Sequence, residues 1–203
     1  MTEKDRDAAA AVPAPLLQHP VLLLVCGLPA SGKSWLAEHL AGPLDAALFQ
    51  SDVRRRELFA VPTGVHWRGP YDQGMYSPEA KQRIYDSLLA DARKELLRKR
   101  RVLVDGSFVQ RRWRAPFAAL ARELGVPFLF VEVTAGEALV KERLAQRAKD
   151  PNQPSDADWN VYVKLAAQRE PFDDVPAHAH LVIESGEPLG ASIASIATAL
   201  AGR

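Results

Sequence analysis

Residues 21–34 read VLLLVCGLPASGKS: six apolar residues, a loop bounded by glycines, then lysine and serine. Gly27 to Ser34 match G-x-x-x-x-G-K-[ST] at every fixed position. The match lies between a strand-like run and a helical pattern over Lys33–Leu40, the context that this motif requires. The spacing has a physical reason. Gly27 and Gly32 permit backbone turns that a side chain blocks, so successive N–H groups converge on an anion, backed by the N-terminus of the following helix. Leu28, Pro29, Ala30 and Ser31 fill the four variable positions of the cradle, and the proline is compatible because not all four need donate. Lys33 then reaches the β- and γ-phosphates of a nucleoside triphosphate, and Ser34 offers its hydroxyl to Mg²⁺.

Outward from this loop, four more continuous apolar runs follow: AALFQ (46–50), RVLVD (101–105), FLFVEV (128–133) and HLVIE (180–184). Continuous rather than alternating hydrophobicity suits strands covered on both faces, as in a parallel sheet. Helical patterns separate the runs, at 52–59, 78–100, 112–124, 136–148, 156–167 and 189–200. The longest opens on Ser77 as N-cap with Pro78 at the first helical position, and Ile84, Leu88, Ala92 and Leu96 form its apolar face. Strands alternating with helices predict an α/β fold with right-handed crossovers. Two stretches are left as loops, 61–76 and 149–155, and long loops in compact domains are functional or disordered.

The chain has 203 residues, of which 47% are hydrophobic and 25% charged, an ordinary globular composition and the length of one domain. That domain is expected over 20–203, after a flexible tail at 1–19 whose prolines and mixed charges do not fit a secretion signal. Lys and Arg number 26 against 25 Asp and Glu, which argues against attraction to nucleic acid or membrane by bulk charge. No apolar run approaches the ~18 residues that span a bilayer. The single cysteine, Cys26, excludes an internal disulfide framework, and a cytoplasmic protein is expected. The near-neutral total conceals sorting along the chain. Residues 93–114 hold nine Lys and Arg, whereas Glu170, Asp173, Asp174, Glu184 and Glu187 are opposed only by Arg203.

Several side chains carry chemistry in this frame. Asp105 ends the third run, where the metal-linked aspartate of such folds lies, and Gly106 follows it where many motor ATPases place a water-activating glutamate. Asp52, in FQSDVRRREL, falls at the C-terminal end of the second run, beside the crevice where open α/β sheets bind ligands. A carboxylate there can accept the proton of a substrate hydroxyl; the alternative is that Ser51 or Asp52 only caps a helix. Arg55 lies one turn on and anchors substrate or neutralises Asp52. Arg143 and Arg147 share a helix face just before KDPNQPSDAD (149–158), which reads as a lid whose arginines close on the transferred phosphoryl group. The alternative is a solvated basic face. Arg111 and Arg112 open a helix near the crevice and are candidates to hold an anionic substrate. In the loop at 61–76, His66, Trp67, Arg68, Tyr71 and Asp72 are candidate substrate contacts, and Tyr76 reads as a hydrophobic staple. Trp159 and Tyr162 either stack on adenine or pack in the core. His178 and His180 lack a third ligand at metal spacing, so no zinc is expected.

The motifs GLPASGKS, SDVRRREL, MYSPEAKQRIYDSLL, VLVDGSF, ELGVPF and RLAQRAKDP with PSDAD occur in this order over roughly residues 20–175. The ordered set resembles the bacterial P-loop kinase-like family often called "AAA family ATPase". That family is similar to polynucleotide kinases, zeta-toxin-like kinases and gluconate kinases, and its domains also occur fused to aminoglycoside-phosphotransferase-like domains. The resemblance implies a three-layer α/β P-loop NTPase fold with a lid and a five-stranded parallel sheet of nucleoside-kinase type, ordered 2-3-1-4-5. It also implies ATP with Mg²⁺, the metal held by Ser34 and Asp105. Asp52 and Arg55 fall on the Asp-x-x-Arg pair of polynucleotide kinases, and the lid arginines fall on Arg143 and Arg147. The family more often has Ala-Thr where this chain has Gly106 and Ser107. The activity expected is transfer of the γ-phosphoryl group of ATP to a hydroxyl of a small molecule. Lys33, Asp52, Arg143 and Arg147 would carry catalysis, and Arg55, Asp105, Arg111 and Arg112 would bind substrate. The alternatives are a polynucleotide 5′-hydroxyl or zeta-toxin-like kinase, with nucleic acid as partner, and a nucleotide-binding regulatory module without transferase activity. No membrane partner is expected.

Overall fold

Strands β1 (Leu22–Cys26), β2 (Ala46–Gln50), β3 (Arg101–Asp105), β4 (Phe128–Thr134) and β5 (His180–Glu184) form one sheet in the order β2-β3-β1-β4-β5, every neighbouring pair parallel. This is the order that the family resemblance implies. The computed structural model describes residues 19–201 apart from 63, 67, 68, 70, 71 and 151–154. The expected tail at 1–19 lies outside the described residues except for His19, as do Trp67, Arg68 and Tyr71 of the loop and part of the lid stretch. The helices are α1 (Lys33–Ala41), α2 (Ser51–Leu58), α3 (Pro78–Leu97), α4 (Arg111–Leu124), α5 (Glu137–Arg147), α6 (Trp159–Ala167) and α7 (Leu189–Ala201).

The continuous apolar runs become strands because the sheet is covered on both faces. Leu22, Leu24 and Cys26 of β1 pack with Ile84 and Leu88 of α3 and with Trp113 and Phe117 of α4. The alternate residues Leu23 and Val25 pack with Leu36 and Leu40 of α1 and with Ile193 and Ile196 of α7. Two cores thus flank one sheet, which is the three-layer architecture. Register then builds the site. Val25 pairs with Asp105, which pairs with Gln50, and Cys26 pairs with Glu132, so the C-terminal ends of four strands meet at one edge.

Two helix boundaries move by three residues from their expected places, each for a local reason, and the others by one residue or none. Helix α3 ends at Leu97, not Arg100, because Lys99 takes a left-handed conformation (φ 62°). The turn lets Arg98 and Arg100 both donate to the buried Glu95, at 2.9 and 3.0 Å. Helix α6 begins at Trp159, not Asp156, because Asp158 is the N-cap and accepts from the Val161 N–H at 2.8 Å. Ser77 caps α3 as expected, accepting from the Ala80 N–H at 3.2 Å.

Charge that is sorted along the chain is paired in space. Arg93 meets Glu123, Arg101 meets Asp45, Arg111 meets Asp173, and Arg114 meets Asp174. Arg114 is among the largest fully buried side chains. Its Nε donates to both oxygens of Asp174 at 3.0 Å, its terminal nitrogens reach the carbonyls of Phe108, Val109 and Pro171, and its guanidinium lies 4.4 Å from the centre of the Phe172 ring. This pair clamps α4 to the segment that leads into β5. Removing the carboxylate strands a buried cation, so Asp174→Ala is expected to cost about 3–5 kcal/mol. A urea denaturation curve checks this, against Arg93→Ala at an exposed pair, where no measurable change is expected.

Candidate active site

The loop between β1 and α1 is shaped by two close approaches. Gly27 has φ +149°, and a Cβ there would lie 2.4 Å from the Val133 carbonyl oxygen. Gly32 has φ +99°, and its Cβ would lie 2.8 Å from Ser185 Oγ. A side chain at Gly27 meets backbone that cannot yield, and one at Gly32 is strained by the positive φ. Ala30 between them also takes a positive φ of 62°. Ser31 is buried, and its Oγ has no hydrogen-bond partner among the described residues. Arg143 fastens the loop from behind, donating to the Ala30 carbonyl at 3.1 Å and to Ser185 Oγ at 2.8 Å.

Beneath the loop, Asp105 is buried at the end of β3. One of its oxygens accepts from Gln50 Nε2 at 3.3 Å, and Gln50 also donates to Glu38 at 3.0 Å. The other, Oδ1, is buried without a partner among the described residues. Burial pushes the Asp105 carboxyl above its usual range; Lys33, Ser34 and Gln50 pull it down, and Asp52 pushes it up again. An unpaired carboxylate oxygen beside a serine hydroxyl is a hard-oxygen donor set that fits Mg²⁺. Among the described residues no group of three or more His, Cys, Asp and Glu could hold a metal alone. The set therefore fits Mg²⁺ that takes its remaining ligands from phosphate and water, as this ion commonly does. A Cβ at Gly106 would lie 3.0 Å from the Phe108 ring, so a glutamate there would have to displace that ring.

Beside the loop opens a cleft of about 690 Å³, counting space open to solvent. Pro29 and Lys33 form one wall, Asp52, Arg55 and Tyr76 another, and Lys81, Tyr85 and Trp113 a third. The N-cap of α2 is Gln50 and no side chain caps this helix, so neither Ser51 nor Asp52 is a cap. Asp52 instead meets Arg55, Oδ1 to Nη2 at 3.4 Å. Arg55 is buried, donates to the Met75 carbonyl at 2.9 Å, and lies 4.3 Å from the centre of the Tyr76 ring. Tyr76 is not a staple: its ring lines the cleft and its hydroxyl donates to Asp156 at 2.9 Å. Burial, then Asp52, pushes that hydroxyl far above its usual range. His66 Nδ1 also lies 2.8 Å from Asp156. Asp156, within the lid stretch, thus ties the loop at 61–76 to the segment beside the cleft.

The remaining expected residues divide. The side chain of Arg147 makes no hydrogen bond or ion pair among the described residues. Burial lowers its affinity for the proton, while Asp52 raises it, Arg143 lowers it and Asp105 raises it, so Arg147 feels both acidic groups of the site. Arg143 and Arg147 also line a second cleft, of about 1110 Å³ counting open space, with Gly32, Trp35, Ser185 and Gly186. Arg111 does not line the first cleft; it is held by Asp173 and Asp174, and its backbone N–H donates to Glu170. Arg112 is exposed, hydrogen-bonded to Gln110 Oε1 at 2.9 Å and set over the Trp113 ring at 4.5 Å. Neither arginine lines the first cleft: the acidic segment after α6 holds Arg111, while Arg112 stays close enough to Lys81 to lower its proton affinity. Trp159 and Tyr162 stack on each other at 4.8 Å and pack against Ala30, Val140 and Leu144. Sequence reasoning missed Lys81, Tyr85 and the Ser185–Gly186 turn. Lys81 and Tyr85, spaced i, i+4 on the cleft-facing side of α3, carried a signal that could have found them.

A parallel sheet in this order, with a glycine-lysine-serine loop opening the first crossover helix, is a P-loop NTPase of the kinase-like kind. Residues 22–172 match the AAA_33 family, an AAA domain, and the chain belongs to that family. An uncharacterized protein of Mycobacterium tuberculosis, Rv2004c, is 30% identical over 159 residues, covering 77% of this chain and 31% of its own length. A Mycobacterium bovis protein, Mb2027c, matches equally. The chain spans less than a third of the length of these curated relatives. Among solved structures, one from Chloroflexus aurantiacus aligns with TM-score 0.69 and 20% identity, over 90% of this chain and 100% of its own. A gluconokinase from Sinorhizobium meliloti aligns with TM-score 0.57 and 17% identity, over 92% and 93%. Kti12 from Chaetomium thermophilum, solved with ADP-AlF3, aligns with TM-score 0.64 and 16% identity, over 89% and 99%. At these identities the likeness shows the fold. Among the described residues no helix is long and apolar enough to cross a membrane.

Because burial raises the Asp105 carboxyl, ionising it costs the folded protein stability as pH rises above the ordinary carboxylate range. Asp105→Asn is therefore expected to melt higher than the parent at neutral pH without nucleotide, by about 2–4 °C for each kcal/mol relieved. The gain should vanish in acid, where Asp105 is protonated. The same variant should lose the Mg²⁺-dependent part of nucleotide stabilisation. Differential scanning calorimetry with and without Mg²⁺ and nucleotide checks both.

Proposed function

We propose that the protein is an ATP-dependent kinase that transfers the γ-phosphoryl group to a hydroxyl of a small molecule. The observation that supports this most is that Lys33 of the phosphate loop and the Asp52–Arg55 pair line one cleft. A phosphoryl group on the loop and a hydroxyl on Asp52 are then held together in one partly enclosed space, and positioning of this kind supplies much of the catalysis of phosphoryl transfer.

In this reading the loop from Gly27 to Ser34 cradles the phosphates through its N–H groups, and Lys33 contacts the β- and γ-phosphates. Ser34 and Asp105 would hold Mg²⁺, which neutralises charge on the phosphate oxygens. The nucleotide base occupies the second cleft, against Trp35 and the planar guanidinium of Arg143, which its bonds to Ala30 and Ser185 keep in place. Arg147 is the arginine suited to the γ-phosphoryl group, since its charge is already coupled to Asp52 and Asp105. Asp52 takes the proton of the acceptor hydroxyl as its oxygen bonds to the γ-phosphorus. The bond from that phosphorus to the bridging oxygen breaks, and ADP leaves. The structural neighbour named as a gluconokinase is consistent with such chemistry on this fold.

Incubation with γ-labelled ATP and pools of polyols, sugar acids, aminoglycosides, nucleosides and 5′-hydroxyl oligonucleotides tests the reading. Label is expected in a small molecule. Lys33→Ala should abolish transfer. Asp52→Asn should lower kcat by about 10²–10⁴-fold while the nucleotide Kd changes little. Full activity in Asp52→Asn would remove it as the base, and tight nucleotide binding with no transfer to any pool would leave a nucleotide-binding module instead.

A further inference from the structure

The first cleft brings several cations together. Its charged lining groups are Lys33, Arg55, Lys81 and Asp52. With Lys33 engaged by nucleotide, Arg55 and Lys81 remain in the cleft, Arg55 beside Asp52 and Lys81 beside Asp72. Arg55 is about nine-tenths buried, and its Nε has no partner among the described residues. Its contact with Asp52, at 3.4 Å, is long for a charge-assisted bond.

Lys81 is placed at a cost. It lies in the first turn of α3, where the helix dipole disfavours a cation. Its side chain is largely buried, and Asp72, 3.8 Å away, is mostly exposed. Burial lowers the proton affinity of Lys81, Asp72 raises it in part, and Arg55 and Arg112 lower it again. Two desolvated cations lining one cleft are stabilised when an anion joins them. Tyr85 and Trp113, stacked at 4.8 Å, add a flat aromatic surface to the same cleft. Ser107, Gln110 and Gln168 add hydrogen-bonding groups, and Ser155, Ala157, Val161 and Leu165 roof the space.

We infer that the acceptor is a small hydroxylated anion, a carboxylate or a phosphate monoester, whose charged end is held by Lys81 and Arg55 while its hydroxyl lies on Asp52. This rests on the kinase reading of the same cleft and adds the chemical class of the acceptor. Carboxylate and phosphate share the chemistry that the two cations recognise.

The test compares acceptors matched in carbon number, namely sorbitol, gluconate and sorbitol 6-phosphate together with the corresponding sets of other chain lengths. Transfer from γ-labelled ATP by the full chain is measured for each. Anions are expected to exceed their neutral partners by at least about tenfold in kcat/KM, and the carboxylate and phosphate arms show which anion is preferred. Lys81→Gln should raise KM for the anion by about 10–100-fold, with kcat changed less than about threefold and KM for neutral polyols unmoved. Lys81→Arg, which keeps the charge, should retain the preference, and an unchanged melting temperature of Lys81→Gln shows that the fold is kept. Equal use of neutral polyols, an unchanged KM in Lys81→Gln, or an oligonucleotide that outcompetes every small anion would overturn the inference. Calorimetric titration of the same anions into protein loaded with Mg²⁺ and a non-hydrolysable ATP analogue separates the two readings. Binding that Lys81→Gln abolishes, without transfer to any acceptor, keeps the anion site and rejects the kinase. Absence of anion binding rejects the anion site.

Discussion

Gly27 approaches β4 so closely that a Cβ would lie 2.4 Å from the Val133 carbonyl oxygen, and the site is built outward from that contact. The contact exists because β1 and β4 are paired in register through Cys26 and Glu132, so the loop leaving β1 must pass over the neighbouring strand. Gly32 repeats the constraint against Ser185 at the end of β5, and Arg143 bonds to both Ala30 and Ser185. The loop is therefore held by the sheet below and by α5 behind. A cradle held in this way directs its N–H groups at an anion without further ordering, which is the condition for effective electrostatic stabilisation.

The protein treats its charges in two ways. Away from the site they are matched: Arg114 with Asp174, Glu95 with Arg98 and Arg100, and Arg101 with Asp45. Around the cradle some polar atoms are left without a partner among the described residues: Ser31 Oγ in the loop, Asp105 Oδ1 at the end of β3 and Arg55 Nε on α2. Unsatisfied buried groups are uncommon in native structures and cost stability. Their gathering around the phosphate loop supports the same place for the chemistry as the motif does.

Most of the fold was legible because the strands are continuous apolar runs and the helices carry clear ends. All five runs became strands, and Ser77 capped the helix that it was expected to cap. The strand order came from the family resemblance, since periodicity cannot rank neighbours in a sheet. The site was legible where spacing along the chain encodes it, as in the loop and in Asp52 with Arg55. It was not legible where distant segments meet. Nothing local in RRWRAPF shows that Asp173 and Asp174 draw Arg111 from the cleft, or that Asp156 takes the Tyr76 hydroxyl. Nor does the local sequence show that Lys81, on α3, shares a cleft with Asp52 and Arg55 of α2, or that the buried Trp113 lines it too.

The central claim is that the phosphate loop and Asp52 act on the two sides of one transferring group. A crystal structure with Mg²⁺, ADP and a planar γ-phosphoryl mimic tests it most directly. The account predicts the mimic between Lys33 and Asp52, with the metal on Ser34 and Asp105 and the base against Arg143. A mimic seated on the loop but walled off from Asp52, or a nucleotide whose base fills the Asp52 cleft, would contradict it.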